Sequence, residues 1–349
     1  METKLLVFSP KLLILLLFSF AAFPSPSSSR LAFNFYGASC PSAEFIVKNT
    51  VRSASSFDPT IPGKLLRLLF HDCMVEGCDA SVLLQGNDTE RSDPANASLG
   101  GFSVINSAKR VLEIFCPGTV SCADILALAA RDAVEIVGGP MLQIPTGRRD
   151  GRASVASVVR FNIIDTSFSM DEMMKLFSSK GLSLDDLVIL SGRSSITSLN
   201  CADVLASNYF AGAHTIGSAH CSAFSDRFQA DSKGTLTRID TSLDKAYANE
   251  LRKKCPSSVS SSVTVNNDPE TSFLFDNQYY RNLMAHKGLF QSDSVLFSDK
   301  RTKKMVEDLA NNQNSFFERW GQSFLKLTII GVKSDDEGEI RQSCEVANG

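Results

Sequence analysis

The chain has 349 residues, of which 43% are hydrophobic and 21% are charged, so it can bury a sizeable core in one large domain or two ordinary ones. This composition excludes a disordered or fibrous protein. Lys and Arg number 35 against 38 Asp and Glu, and the resulting net charge of −3 gives no electrostatic reason to expect a nucleic-acid or anionic-lipid partner.

The N-terminal residues are predicted to lie outside the fold. Lys4 and Lys11 precede an apolar run that ends at Phe23, and small residues follow. This order is typical of a secretory signal peptide. A membrane anchor would need roughly 20 apolar residues, which the run does not reach. We therefore expect residues 1–29 to be a signal peptide and residues 30–349 to be a secreted, extracellular domain without a membrane anchor.

Secretion changes what the cysteines predict. In an oxidising compartment most cysteines form disulfides, and an odd number leaves one over. Zinc binding is the alternative, but the sequence has no pair of CxxC motifs and only four histidines. The nine cysteines are Cys40, Cys73, Cys78, Cys116, Cys122, Cys201, Cys221, Cys255 and Cys344.

Helical periodicity dominates the rest of the chain. Apolar residues repeat at helical spacing, with capping residues before several segments and Gly or Pro after them, in residues 42–55, 63–73, 104–115, 121–137, 169–181, 184–190, 275–288 and 302–312. Long alternating segments and internal repeats are absent from the sequence. The sequence predicts an all-α fold with at most a small β-hairpin.

Two polar features stand next to each other in the segment 67–81, RLLFHDCMVEGCDAS. Arg67 and His71 are four residues apart, so they project from one helix face. Burying two polar side chains there costs free energy, which suggests that they have a function. Asp72, Asp79 and Ser81 follow on a tight loop, and clustered oxygens of this kind suit calcium. Either feature alone would fit a surface ion pair and a structural histidine, but their adjacency favours a functional site.

The motif RLxFHDC-x-V-x-GCDAS resembles the distal motif of the secreted plant haem peroxidases of class III. AHTIGSAHC, from Ala213 to Cys221, resembles their proximal motif. Further matches in family order are SCADILALAARD, GRRDG, FDNQYY, GLFQSD and GEIRxxC. The resemblance covers residues 31–349 and implies the plant haem-peroxidase fold, in which one haem b lies between a distal and a proximal helical half.

The resemblance implies roles for the distal residues. His71 would be the base that takes a proton from hydrogen peroxide, and Arg67 would stabilise the charge that develops as the O–O bond breaks. Asn96 would fix the tautomer of His71, and Phe70 would wall the pocket. The first of two calcium ions would be held by Asp72, Val75, Gly77, Asp79 and Ser81, with Glu90 behind them.

On the proximal side the resemblance implies that His214 is the axial ligand of the haem iron and that Asp293 accepts its second ring hydrogen. Small phenolic donors would be oxidised in one-electron steps by a monomeric enzyme. Ile164 replaces a proline of the family's substrate loop, which puts the donor preference in question. The second calcium would be held by Thr215, Asp268, Thr271, Leu274 and Asp276.

The family's disulfides map to Cys40–Cys116, Cys73–Cys78, Cys122–Cys344 and Cys221–Cys255, which leaves Cys201 unpaired. Cys201 lies in the one stretch that departs strongly from the family, a 20-residue insertion at 193–212 directly before the haem ligand. Two explanations compete: an extra loop in a working enzyme, or translated intron sequence or a gene-model error. The second is favoured.

The sequence therefore predicts a secreted haem peroxidase of the cell wall or apoplast, with a glycosylation signal at Asn87. A second signal at Asn96 conflicts with that residue's buried role and is expected to stay unmodified. The alternative is a haem-free, calcium-bound helical protein of the same fold that acts in binding or structure. The insertion before His214 motivates that alternative.

Overall fold

The computed structural model describes residues 31–191, 215–230, 236–255, 263–333 and 335–349. The predictions about residues 1–29, the insertion 193–212, Cys201 and His214 therefore concern residues outside the described part of the chain.

The described residues are mostly helical. Their α-helices are α1 (Ala43–Phe57), α2 (Ile61–Val75), α3 (Phe102–Phe115), α4 (Cys122–Ile136), α5 (Met170–Ser179), α6 (Leu184–Ser191), α7 (Lys245–Lys254), α8 (Gln278–Met284), α9 (Gln291–Ser298), α10 (Lys303–Asn311) and α11 (Gln313–Leu327). Short 3₁₀ helices include Ser81–Leu83, Glu90–Ser92, Pro94–Asn96 and Ala156–Phe161.

Within the described ranges, β-strands are limited to four of three residues each, in two antiparallel pairs. Strand β1 (Ser218–His220) pairs with β4 (Thr264–Asn266), and β2 (Phe228–Ala230) pairs with β3 (Leu236–Arg238). The prediction of an all-α fold is confirmed. The prediction included at most one small β-hairpin, and the structure has two short strand pairs.

All eight periodic segments form helices, and three further helices were not predicted. Helix α7 is highly charged and buries only Tyr247, Ala248 and Leu251. Helix α9 has only eight residues. Helix α11 follows α10 after Asn312 alone, whose side chain accepts a hydrogen bond from the amide of Ser315 and so starts a new helix. The charged α7 and the short α9 carry a weak periodic signal, whereas α11 has 15 residues and buries Phe316, Trp320, Phe324 and Leu327 at helical spacing.

Helix α2 lies at the centre of the main core. Every residue of α2 except Lys64 is buried, because the helix packs against α4 and α1. Helix α4 is in turn buried from Cys122 to Val134. A second, smaller core is formed by residues of β1, α7 and the following segments, including Phe224, Tyr247 and Phe290. Polar side chains on α2 are therefore held in a rigid, dry environment.

Covalent and close backbone contacts fix the loop that follows α2. The structure contains disulfides Cys40–Cys116, Cys73–Cys78, Cys122–Cys344 and Cys221–Cys255, the pairing that the family resemblance implies. Gly77 has φ +105°, and a Cβ there would lie 2.5 Å from the carbonyl oxygen of Gly331. Only glycine fits this approach. The C-terminal segment is thereby packed directly onto the loop.

A buried ion pair connects two of the sequence motifs that carried no predicted role. Arg148 donates to Asp124 at 2.7 Å, and both side chains are fully buried. Tyr36 also donates to Asp124, at 2.6 Å, and Arg148 binds the carbonyl oxygen of Thr328. Because each charge has several partners, this network ties α4 to the C-terminal end of α11.

Candidate active site

Arg67 and His71 lie side by side on α2. Nε of Arg67 donates to Nε2 of His71 at 3.3 Å, and the two side chains are 1% and 0% exposed. Their spacing of four residues places them on the same helix face, as the sequence predicts. The structure therefore brings a buried cation against one ring nitrogen of a buried histidine.

The other ring nitrogen of His71 is held by Asn96. Nδ1 of His71 lies 2.6 Å from Oδ1 of Asn96, and Nδ2 of Asn96 donates to the carbonyl oxygen of Glu90 at 2.8 Å. Since the amide of Asn96 is fixed by Glu90, its Oδ1 faces the ring and accepts from Nδ1. Nδ1 therefore carries the hydrogen, and Nε2 keeps its lone pair on the side of Arg67.

The surroundings of His71 favour its neutral form. Burial lowers the pKa of His71 well below its ordinary value, and the charge of Arg67 lowers it further, while the bond to Asn96 acts in the opposite direction. Burial also lowers the pKa of Arg67, to about 9, which still leaves the guanidinium charged at neutral pH. The pair is a neutral base next to a fixed positive charge.

Arg67 is anchored by the same loop that carries Asn96. Nη1 donates to the carbonyl oxygen and to Oγ of Ser98, at 3.1 and 2.9 Å, and Nη2 donates to the carbonyl oxygen of Ala95 at 3.3 Å. Asp93 starts this loop by accepting from the amide of Ala95. No role was predicted for Ser98, which follows Asn96 in the segment 94–98, PANAS, and has no other sequence signal.

The predicted calcium ligands on the distal side lie together at the end of α2. Asp72 accepts from the backbone amides of Ala80 and Val82, and Oδ1 of Asp79 accepts from the amide of Ser81 at 3.0 Å. Asp72, Asp79 and Glu90 are each 1% exposed or less. Burial raises the pKa of Asp72 well above its usual range, and the charges of Asp79 and Glu90 add to the effect. Burial also raises the pKa of Glu90, to about 8.

This distal cluster fits a calcium ion. Oγ of Ser81 and both carboxylate oxygens of Glu90 are buried with no hydrogen-bond partner among the described residues. Buried oxygens and carboxylates of this kind are normally paired or bound to a metal. Among the described residues no three His, Cys, Asp or Glu side chains converge as a metal-binding group. An ion here would depend on hydroxyl and carbonyl oxygens as much as on Asp72 and Asp79, as calcium readily does.

The second set of predicted calcium ligands also lies together. Oγ1 of Thr271 donates to Asp276 at 3.1 Å and to Asp268 at 3.3 Å, and Oγ1 of Thr215 donates to the carbonyl oxygen of Asp276 at 2.9 Å. Burial raises the pKa of both aspartates. The amide of Leu274 donates to Thr271, which closes the turn. These oxygens form the right donor set for a second hard cation.

Asp293 is a buried carboxylate held by two donors. Oη of Tyr279 donates to its Oδ1 at 2.8 Å, and the amide of Phe290 donates to its Oδ2 at 2.9 Å. Burial and the nearby charge of Asp293 raise the pKa of Tyr279 well above its ordinary value, so the phenol keeps its hydrogen. Tyr279 belongs to the FDNQYY motif, and no role was predicted for it from the sequence. The expected partner of Asp293, His214, lies outside the described residues.

The residues expected at the pocket wall and at the donor site are both buried. Phe70 is 1% exposed and packs against Phe177, with ring centroids 6.2 Å apart. Ile164 is 4% exposed, whereas Phe161, three residues earlier, is 82% exposed.

Asn96 is 2% exposed with its amide nitrogen bonded to Glu90, and Asn87 is exposed, which agrees with the expected difference between the two glycosylation signals.

None of the helices formed by the described residues is both long and apolar enough to cross a membrane.

Comparison with known proteins identifies the family. A family profile described as peroxidase matches residues 47–312. Peroxidase 46 of Arabidopsis thaliana is 62% identical over 322 residues, which cover 92% of this chain and 93% of that protein. Peroxidase 18 of the same plant is 61% identical over 342 residues, covering 98% and 96%. Peroxidase 66 is 40% identical over 98% of this chain and all of its own length.

These similarities extend over nearly the whole chain and do not favour the alternative of a binding or structural protein. They agree with the helical fold and with the buried histidine and arginine on α2. The chain belongs to the plant peroxidases of class III, and it is a haem peroxidase, an enzyme that oxidises other molecules with hydrogen peroxide.

Proposed function

We propose that Arg67, His71 and Asn96 carry out the proton transfer and charge stabilisation of peroxide cleavage. The observation that carries this proposal is the tautomer of His71: Nδ1 is engaged by Asn96 at 2.6 Å, so Nε2 is the basic atom next to Arg67. His71 accepts a proton from peroxide at Nε2 and returns it to the leaving oxygen. Arg67 stabilises the negative charge that develops on that oxygen.

One haem b, bound through His214, supplies the redox chemistry in this proposal. Asp293 fits the role of acceptor for the ring hydrogen of His214, because it is a buried carboxylate fixed by Tyr279 and the amide of Phe290. A fixed acceptor orients the ligand histidine and raises its basicity. Phe70 excludes water from the distal side.

The electron donors are proposed to be small phenolic molecules that bind near Ile164. The family's proline is absent there, and Ile164, which replaces it, is buried. The exposed ring of Phe161 offers an aromatic surface three residues away. We therefore expect donors with a flat apolar ring to be preferred over charged ones.

Two calcium ions are proposed to support the site. The first is held by the side chains of Asp72, Asp79 and Ser81 and the carbonyl oxygens of Val75 and Gly77, with Glu90 behind them. The second is held by Thr215, Asp268, Thr271, Asp276 and the carbonyl oxygen of Leu274. Asp72 is adjacent to His71 and Thr215 is adjacent to His214, so each ion braces one catalytic histidine through the backbone.

We also propose that the protein is secreted to the cell wall as a monomer after residues 1–29 have been removed. The protein, expressed with haem and calcium, is expected to show a Soret band, two bound calcium ions and peroxide-dependent oxidation of a phenolic dye. A protein that binds calcium but shows neither a Soret band nor dye oxidation would contradict the peroxidase proposal and support the haem-free alternative.

The insertion 193–212 is proposed to be foreign to the working enzyme. Deleting it removes the unpaired Cys201, which can attack disulfides during oxidative folding, and it restores the short connection before His214. We expect the deletion variant to bind more haem per protein and to contain one free thiol fewer. Lower haem occupancy after the deletion would show that the insertion is a working part of the enzyme.

A further inference from the structure

A lysine from the C-terminal segment reaches the distal calcium cluster. Nζ of Lys333 lies 3.6 Å from Oδ2 of Asp79, and the two side chains are 28% and 2% exposed. The backbone of Lys333 forms a β-bridge with Arg149, which fixes the position of the Lys333 backbone. Lys333 therefore contacts the buried carboxylate of Asp79 and is itself partly exposed to solvent.

Two neighbouring arginines, Arg149 and Arg152, contact acidic or carbonyl groups other than Asp79. Arg149 forms an ion pair with Asp335, and Arg152 lies 3.7 Å from Glu339 and donates to the carbonyl oxygen of Gly338 at 2.7 Å. Asp79, Arg152 and Lys333 also line a surface cavity of about 220 Å³, together with Glu76 and Glu337. Lys333 and Asp79 thus border the same surface cavity, and Lys333 is the more exposed of the two.

The carboxylate of Asp79 has little freedom to avoid this contact. Its Oδ1 is bonded to the amide of Ser81, and a Cβ at Gly151 would lie 2.4 Å from its Oδ2. The backbone of Asp79 is held as well, since its amide donates to Gly77 and its carbonyl oxygen accepts from Gly151. An ion bound by Asp79 and the ammonium of Lys333 would therefore have to share one fixed carboxylate.

A second lysine contacts the cluster differently. Nζ of Lys180 donates to the carbonyl oxygen of Val75 at 3.1 Å. A carbonyl oxygen has two lone pairs and can accept this bond while it binds an ion. Lys333 acts instead on a charged ligand, where a second cation reduces the net attraction for the first.

We propose that Lys333 weakens and tunes the distal calcium site of this chain, because its ammonium partly neutralises Asp79 and repels the ion held there. This inference rests on the proposed calcium role of Asp72, Asp79 and Ser81. It makes the distal ion bind less tightly than it would without Lys333. It also makes Lys333 a partial substitute for the ion when calcium is scarce.

The proposal is tested by comparing the full chain, with haem bound, as wild type, Lys333→Met, Lys333→Arg and Lys304→Met. Lys304 is a suitable control because its side chain is 86% exposed and its partner is Asp308 on its own helix. The dissociation constants of calcium are measured by competition with a calcium indicator. For Lys333→Met we expect one of the two constants to fall about threefold to tenfold, from the removal of one cation a few ångströms from the ion. Lys333→Arg and Lys304→Met should leave both constants near the wild-type values.

Thermal unfolding with and without calcium separates this role from that of an ordinary ion pair. Lys333→Met should lower the midpoint in the presence of a chelator and should increase the gain in midpoint on adding calcium. A purely structural ion pair would instead lower both midpoints equally, and that result would overturn the inference, as would unchanged dissociation constants. If the wild type binds no calcium at the distal site, the proposed calcium role fails together with the inference.

Discussion

The distal side of the site is built from one helix and one short loop, whereas the proximal side gathers residues that are far apart in the chain. Arg67 and His71 are held by Ala95, Asn96 and Ser98. Asp293 on α9 depends instead on Tyr279 of α8, and the ligands of the second calcium extend from Thr215 to Asp276.

This difference determines how each side responds to change. On the distal side a chain of hydrogen bonds runs from the carbonyl oxygen of Glu90 through Asn96 and His71 to Arg67, so removing one member affects the next. On the proximal side Asp293 keeps a backbone donor, the amide of Phe290, even when a side chain is removed. We therefore expect larger losses from distal substitutions than from proximal ones.

Replacing His71 with Ala should give the largest effect. The substitution removes the proposed base but no proposed haem contact, so turnover with peroxide should fall about 10²- to 10⁴-fold while the Soret band is retained. Steady-state oxidation of a phenolic dye, normalised to bound haem, measures this. His286→Asn is the matched control, because His286 is exposed and has φ 56°, a conformation that Asn tolerates. Near-normal turnover of the His71 variant would refute the assignment.

Replacing Asn96 with Ala should give an intermediate effect. The ring of His71 loses the acceptor that fixes its tautomer, and one such hydrogen bond, of about 1.4 kcal/mol, corresponds to a loss of about tenfold in rate. Asn106→Ala is the control, since its side-chain amide also donates a hydrogen bond, at 2.8 Å to Glu345, but lies on α3. Equal activity in both variants would mean that the contact with Asn96 is only structural.

Replacing Tyr279 with Phe should give the smallest change in turnover, no more than a few-fold. Asp293 loses one donor and becomes a stronger acceptor for His214, which should lower the reduction potential of the haem. Tyr280→Phe is the matched control, because Tyr280 is equally buried but donates to the carbonyl oxygens of Val188 and Ile189. The same potential in both variants would argue against a link between Tyr279 and the haem ligand.

The sequence was sufficient to predict most of the distal side because its residues are close together in the chain. The helical spacing of Arg67 and His71 and the oxygen-rich loop from Asp72 to Ser81 are visible without a structure. The assignment of Asn96 needed the family resemblance, since nothing in its spacing from His71 indicates a contact. The helices with long apolar stripes were also predicted, as in α2 and α4.

Contacts that depend on packing between distant segments were not predictable. Tyr279 and Asp293 are brought together by two separate helices, and the contact of Lys333 with Asp79 depends on how Gly331, in the C-terminal segment, packs on Gly77. No local pattern encodes such contacts, because they depend on tertiary packing. Helix α11 was missed for a different, local reason, since a single capping residue, Asn312, separates it from α10.

A double-mutant cycle between Asn96 and His71 tests the central claim that the distal residues act together, with Asn96 affecting the reaction through His71. The rate of the reaction with hydrogen peroxide is measured in a single turnover for wild type, each single variant and the double variant. Because Asn96 is proposed to act only through His71, we predict that Asn96→Ala slows the wild type about tenfold and has no further effect in the His71→Ala background. Equal losses in both backgrounds would contradict the claim.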